Sequence, residues 1–331
     1  MEYIVLKNGN KIGVIPTKNK SDYVTMTFDD HPCPIAHEYY RKIYCEHSTF
    51  SYEGLQMIYS CSNFGVDDCK LKRMGLIKDG MVNMSFEERI KKLNKMIAES
   101  KSIVFFGGAG VSTESGIPDF RSADGLYNNR GIEFEKYLPE YLLSRKCLYD
   151  EPEVFYEFYR QKLDCRGIEP NITHKKLAEL EKIGKLSAVI TQNIDGLHQK
   201  AGSKNVFAIH GTTEYNYCMK CAKSYPSDYI FTNEDKIPTC PECGGKIRPH
   251  VVLYGENLPG FAWDASANAL TEADLLIIGG TSLSVYPAAN LIDYYYGKNI
   301  VIINKSETGK DKRADLRFTE SLGEVFSRIE I

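Results

Sequence analysis

"SIVFFGGAGVSTESG", residues 102–116, sets the reading of this chain. A short apolar run ends in glycines. A strand feeding such a turn exposes backbone N–H groups that, with the N-terminus of the helix expected to follow, can hold a pyrophosphate. Gly108 and Gly110 fit the dinucleotide pattern, but Thr113 stands where the third glycine belongs. By itself the turn is a weak signal.

Similar runs recur outward from it: "SAVIT" at 187–191, "DLLII" at 274–278 and "NIVII" at 299–303. Short unbroken apolar runs suit strands buried on both faces of a parallel sheet. Helical segments separate them. "SFEERIKKLNKMIAES" pairs Ser85 with Glu88 in a capping box and places Ile90, Leu93 and Ile97 on one face. In "THKKLAELEKIG", Thr173 is expected to cap the start and Gly184 the end. The alternation predicts a Rossmann-like, doubly wound α/β sheet. No acidic residue sits clearly at the end of the second strand, so an ordinary dehydrogenase fits poorly.

Ten cysteines in a 331-residue chain without a signal sequence point to metal ligation or free thiols rather than disulfides. Cys218-x-x-Cys221 and Cys240-x-x-Cys243 flank an 18-residue insert, the spacing of a four-cysteine zinc module. Gly244 and Gly245 follow, where the chain must turn around the metal. Four thiolates fill a tetrahedral zinc and leave no place for water, so the ion is expected to be structural and His210 is not needed as a ligand. The module, about residues 211–252, interrupts the strand–helix alternation and reads as an insertion.

Residues 1–80 have another texture. "LKNGNKIGVIP" reads as a hairpin around an Asn-Gly turn. Cys33, Cys45, Cys61 and Cys69 with His31, His37 and His47 show no paired ligand spacing, so ordinary core and surface roles are the better reading. This extension has no assigned fold, and residues 85–331 form the regular domain.

Composition bounds the function. No window of about 18 apolar residues exists, so no membrane helix is expected. "MEYIVLKNGNK" lacks the apolar run of a signal peptide, which makes a cytoplasmic location the default. A net charge of -3 argues against general affinity for nucleic acid.

Three further segments sharpen the picture: "GIPDFR" at 116–121, "TQNIDGLH" at 191–198 and "GGTSL" at 279–283. With "HG" at 210–211 and the four cysteines, they resemble the sirtuins (Sir2 family), the NAD-dependent protein deacylases, from about residue 85 to the C-terminus. The resemblance implies that Gly108, Ala109, Gly110 and Thr113 hold the NAD phosphates, and that Phe120 and Arg121 belong to a mobile cofactor loop. Ser112 completes the motif without a clear role. It further implies that Gln192, Asn193, Ile194 and Asp195 form the nicotinamide and ribose pocket, with the Asp195 carboxylate receiving the carboxamide N–H, and that Thr281, Ser282, Asn304 and Lys305 lie on the adenosine side.

In that family the acyl-lysine carbonyl oxygen attacks the nicotinamide ribose, nicotinamide leaves, and a ribose hydroxyl must lose a proton before it attacks the imidate-like intermediate. His210 matches the general base. A histidine, with its ordinary pKa near 6.5, suits that task. "HVVLYGENL" (250–258) and "SLSVYP" (282–287) match the segments that hold acylated-lysine protein substrates as an added strand, which implicates Val251, Val252, Tyr254, Gly255, Glu256, Ser284 and Val285.

Succinyl- or malonyl-removing members carry a Tyr-x-x-Arg pair. In "EVFYEFYRQKLDC", Tyr156 is followed three places on by Tyr159, and Tyr159 by Lys162, so acetyl is expected over succinyl, although "RPHVVLYGE" with His250 looks like the acidic-acyl branch. ADP-ribose transfer to protein or plain NAD cleavage would use the same nicotinamide-releasing step. A zinc-ribbon binding module without activity is disfavoured by the presence of both His210 and Asp195.

Overall fold

A computed structural model describes residues 84–331 apart from 121, 123, 124 and 130, together with the backbone of five strands within residues 1–83. The chain divides into two compact units, residues 1–89 and 90–331.

In the first unit, β1 (Tyr3–Asn8), β2 (Lys11–Pro16) and β3 (Val24–Thr27) form an antiparallel sheet, and β4 (Thr49–Glu53) pairs with β5 (Gln56–Ser60). Asn8 faces Lys11 across the antiparallel β1–β2 ladder, so the two strands of the expected hairpin are paired, while its turn lies outside the described residues. The cysteines and histidines of residues 31–69 lie outside the described residues.

In the second unit, β6 (Ile103–Gly107), β7 (Leu186–Thr191), β8 (Val206–Ala208), β12 (Leu275–Gly279), β13 (Asn299–Ile303) and β14 (Leu316–Phe318) make one parallel sheet in the order β14-β13-β12-β6-β7-β8. Counted from the first strand of this unit, that is the Rossmann order 3-2-1-4-5-6, with the chain's direction of winding reversing between β6 and β12. All four strands expected from apolar runs are in it. Every residue of β6 and β12 is buried, as a sheet covered on both faces requires. Val104, Phe106, Leu276, Ile278 and Ile302 pack on one side with Leu270 of helix 260–272 and Ile292. Phe105, on the other side, meets Phe326 edge-on at 5.8 Å.

Helix 86–99 starts as the sequence predicts: Ser85 N donates to Glu88 Oε2 at 2.7 Å, Glu88 N donates to Ser85 Oγ at 3.2 Å, and Ile90, Leu93 and Ile97 are buried. Helix 172–182 differs. Its N-cap is Asn171, not Thr173: Asn171 Oδ1 accepts from the backbone of Thr173 and His174, and its amide donates to Val111 O at 2.8 Å and Ser115 Oγ at 3.0 Å. The reason is tertiary, because the cap also anchors the turn after β6. At the other end Gly184 N donates to Glu181 O and Lys185 N to Leu180 O, the paired bonds that close a helix on a left-handed residue.

Between β8 and β12 the chain leaves the sheet to form a second, antiparallel one, β10-β9-β11, from β9 (Gly211–Cys218), β10 (Ser224–Pro226) and β11 (Ile247–Val251). Its core joins that of helix 152–162, whose Phe155, Tyr156, Phe158 and Tyr159 are buried with Tyr225 and Ile247.

Candidate active site

The carboxyl ends of β6, β7, β12 and β13 open into a cleft of about 750 Å³, walled on its far side by the 251–258 segment. That volume lies within the range of small-molecule and cofactor sites.

The turn after β6 is not the start of a regular α-helix, as the sequence pattern suggests, but two short 3₁₀ turns, 109–111 and 113–115. Its glycines are demanded first by the protein itself. A Cβ on Gly110 would lie 2.7 Å from Gly280 Cα, and one on Gly108 would lie 2.8 Å from Thr281 Cβ. The β6 and β12 turns therefore cross in direct backbone contact at the point where strand order reverses, with Gly110 N donating to Gly280 O at 2.9 Å. Thr113 holds the turn from within, donating its hydroxyl to Gly110 O at 3.0 Å.

Gly108, Ala109, Gly110, Thr113, Phe120, Gln192, Asn193, Ile194, His210, Thr281, Ser282, Asn304 and Lys305 all line the cleft, so the sites expected from scattered motifs are brought together. Arg121 lies outside the described residues. Asp195, half-buried, is next to these residues in sequence but does not itself line the cleft. Its Oδ2 accepts from Ser112 Oγ at 2.6 Å and its Oδ1 from Leu197 N at 2.9 Å, and burial pushes its carboxyl above the ordinary range. Ser112, 1% exposed, also accepts from Asn193 Nδ2 at 3.0 Å. Its hydroxyl thus joins two residues of the β7 turn to the β6 turn, a role no motif announces.

His210 follows β8, and its Nδ1 is 3.0 Å from Gln192 O. The carbonyl can only accept, so Nδ1 carries the proton of the neutral ring and Nε2 keeps the basic lone pair. The neighbouring Gly211 has φ +79°, and a Cβ there would stand 2.2 Å from His250 O, which makes "HG" a packing requirement.

On the far wall Val251, Val252, Tyr254, Gly255 and Glu256 line the cleft, and Val285 lines it from the segment after β12, while Ser284 does not. Ser284 Oγ instead lies 2.7 Å from Ser282 Oγ. The Glu256 carboxylate is engaged by the buried Arg248 guanidinium at 2.6 and 3.0 Å and by Leu253 N. Val252 N donates to His210 O at 2.8 Å, which ties this wall to the histidine. Tyr127, in a loop that carries no motif, also lines the cleft, and its hydroxyl is 2.8 Å from that of Tyr254.

The four cysteines fit a structural metal. Their sulfurs lie within 4.8 Å of one another, with Cys218 to Cys243 at 3.4 Å and Cys221 to Cys240 at 3.8 Å. Tetrahedral zinc with bonds near 2.3 Å needs sulfurs about 3.8 Å apart. Tyr225 donates its hydroxyl to Cys240 Sγ at 2.9 Å, favouring the thiolate a metal requires. His210 is not in this cluster. No described helix is long and apolar enough to cross a membrane.

Known proteins share this arrangement. The model of the Sir2 family matches residues 108–287. A protein of Clostridium acetobutylicum named NAD-dependent protein deacetylase is 51% identical over 242 residues, covering 73% of this chain and 98% of its own length. One of the same name from Clostridium perfringens is 51% identical over 245 residues, with 73% and 99% covered. Among solved structures, Sir2 with a p53 peptide and NAD+ is 39% identical with a TM-score of 0.64, over 72% of this chain and 96% of that one. Sir2 bound to acetylated peptide gives 38%, 0.64, 72% and 96%. Identity at this level over nearly the full length of the relatives, with the family model matched across the cleft residues, leaves one conclusion: this chain belongs to the Sir2 family.

Proposed function

We propose that this chain is an NAD-dependent protein lysine deacetylase that releases nicotinamide and forms O-acetyl-ADP-ribose. One observation carries the reading: in a Sir2-family chain, the glycine turn, the 192–194 segment and His210 meet in a single cleft whose opposite wall is the 251–258 segment.

The cleft suits NAD along its length. The crossed glycine turns bring backbone close to where phosphates would pass, Thr281, Ser282, Asn304 and Lys305 offer hydroxyl, amide and ammonium groups for the adenosine end, and buried Asn193, joined to half-buried Asp195 through Ser112, supports the nicotinamide end. When bound, NAD supplies an anomeric carbon that can lose nicotinamide and accept the acyl oxygen. The protein's part is to orient, to exclude water and to move one proton. His210 Nε2, directed by the Nδ1 bond to Gln192 O, is the group that takes it, a function worth roughly 10²–10⁴ in rate.

The acetyl-lysine peptide lies as an extended strand along 251–258. Val252 O and Gly255 N have no hydrogen-bond partner among the described residues, which leaves main-chain groups for it. The preference for acetyl over succinyl is supported by the helix that could have carried an acyl-reading arginine. Arg160 donates to Ile230 O and Asp235 O, and Tyr156 to Ile247 O, all away from the cleft lining. Mass spectrometry of the products from NAD with acetylated and succinylated peptides tests the whole reading. O-acetyl-ADP-ribose should form only with the acetylated peptide. Faster desuccinylation would overturn the acyl preference, and nicotinamide release indifferent to peptide would overturn deacylation.

A further inference from the structure

Beside the cleft mouth is a shallow depression of about 360 Å³ lined by Arg145, Lys146, Tyr149, Tyr254 and Gly255. Two of these, Tyr254 and Gly255, also line the cleft, so the two cavities share a wall. Tyr254 is fixed there by its backbone: its N–H donates to Leu143 O and its carbonyl accepts from Arg145 N, both at 3.0 Å.

The charge of this depression is one-sided. Its lining contains no carboxylate. Lys146 is paired with Asp150 in the next helical turn, and the nearby Glu256, which feels the charge of Arg145, has both carboxylate oxygens hydrogen-bonded by Arg248. Arg145 is exposed, has its guanidinium 5.5 Å from the centre of the Tyr149 ring, and makes no ion pair among the described residues. Lys246 Nζ lies 5.8 Å from the same ring, adding a second cation.

We infer that this depression, with Arg145 as its principal contact, selects substrates carrying an aspartate or glutamate within a few residues of the acetyl-lysine. The inference rests on the deacetylase reading and narrows its substrate class. A peptide strand along 251–258 advances about 3.4 Å per residue, so side chains a few positions from the lysine pass over Tyr254 and Gly255. There an exposed arginine held beside a tyrosine ring offers a fork of donors suited to a carboxylate.

An exposed pair of this kind changes affinity by about two- to fivefold and weakens with salt. The test uses the full-length protein and three acetyl-lysine peptides with aspartate, alanine or lysine at the flanking positions, read by fluorescence-anisotropy binding and by kcat/KM with NAD. In the wild type the aspartate peptide should exceed the alanine peptide about threefold and the lysine peptide by more, with the margin shrinking in high salt. Arg145→Gln should bring the aspartate-to-alanine ratio to about one, and Arg145→Glu should favour lysine. Equal binding of all three peptides by the wild type, or a preference that survives Arg145→Gln, would overturn the inference. Absence of turnover with every acetylated peptide would instead refute the deacetylase reading, while the binding ratios would still decide the role of Arg145.

Discussion

Ser112 Oγ stands 2.6 Å from Asp195 Oδ2, and this bond helps link the turn after β6 to the turn after β7. Because burial raises the Asp195 carboxyl, its folded form binds a proton more readily than the unfolded chain does. The stability it lends is complete below the unfolded pKa, about 3.9, and is lost as pH rises through the folded value. Above that value the carboxylate is a cost to the fold that function retains. Asp195→Asn should keep or raise the melting temperature at neutral pH while lowering NAD-dependent deacetylation by at least tenfold. A variant that is both less stable and fully active would contradict this.

Ser112→Ala should behave differently. It strips Asp195 of one of two donors and leaves the buried Asn193 amide without its acceptor, a loss of about 1–3 kcal/mol. Urea midpoints and the KM for NAD report it, with both stability and cofactor affinity expected to fall.

The crossing of Gly110 and Gly280 predicts a steric effect. A methyl group on Gly110 would meet backbone at 2.7 Å, which cannot yield as a side-chain tip would. Gly110→Ala should cost upwards of about 2 kcal/mol and abolish NAD binding. Gly260→Ala is the control: nothing lies within 4 Å of its Cβ position, and stability should change by no more than about 0.5 kcal/mol. Comparable losses in the two variants would dismiss the packing argument.

His174 and His198 touch edge-on, with ring centroids 4.7 Å apart beneath the sheet. Burial holds His174 down to about 4, and burial with the neighbouring His174 holds His198 down to about 3. Both values are below the unfolded one near 6.5, so the stability they support is present above that pH and lost as pH falls below it, when the unfolded chain binds protons the folded one refuses. Each histidine should account for about 2 kcal/mol between about pH 7.5 and about pH 5. Denaturation of His198→Gln at those two values should show a loss smaller by that amount, and an unchanged loss would mean the ring is protonated in the fold.

Much of this was legible in the residues. The four apolar runs became four strands because burial on both faces leaves no polar alternation to confuse the reading. β8 and β14, three residues each, carry no period at all and were invisible. Asn171 and Thr173 are both capable caps. Only the contacts of Asn171 with Val111 and Ser115, 60 and 56 positions away in sequence, choose between them. The glycines of the β6 turn read as a phosphate cradle, whereas their tight contact with Gly280 is a tertiary fact. Asp195 is by motif a pocket carboxylate, but its bond to Ser112 is a tertiary contact no motif announces, and Tyr127 had no pattern to mark it.

Cys218 and His210 are eight positions apart, yet zinc and catalysis should separate cleanly. The sulfurs form a complete set without the histidine, and a structural zinc contributes on the order of 10 kcal/mol to a small module. Cys240→Ser, or prolonged exposure to a strong chelator, should remove the metal and unfold the β9–β11 sheet, with aggregation or a large drop in melting temperature. His210→Ala removes a side chain that lines the cleft and supports none of the described core clusters. It should retain its full complement of zinc and melt within a few degrees of the wild type, but form no O-acetyl-ADP-ribose. Metal analysis, calorimetry and product detection on the two variants make the comparison. Zinc loss in His210→Ala would reunite the two sites, and near-normal turnover would remove the histidine from the chemistry.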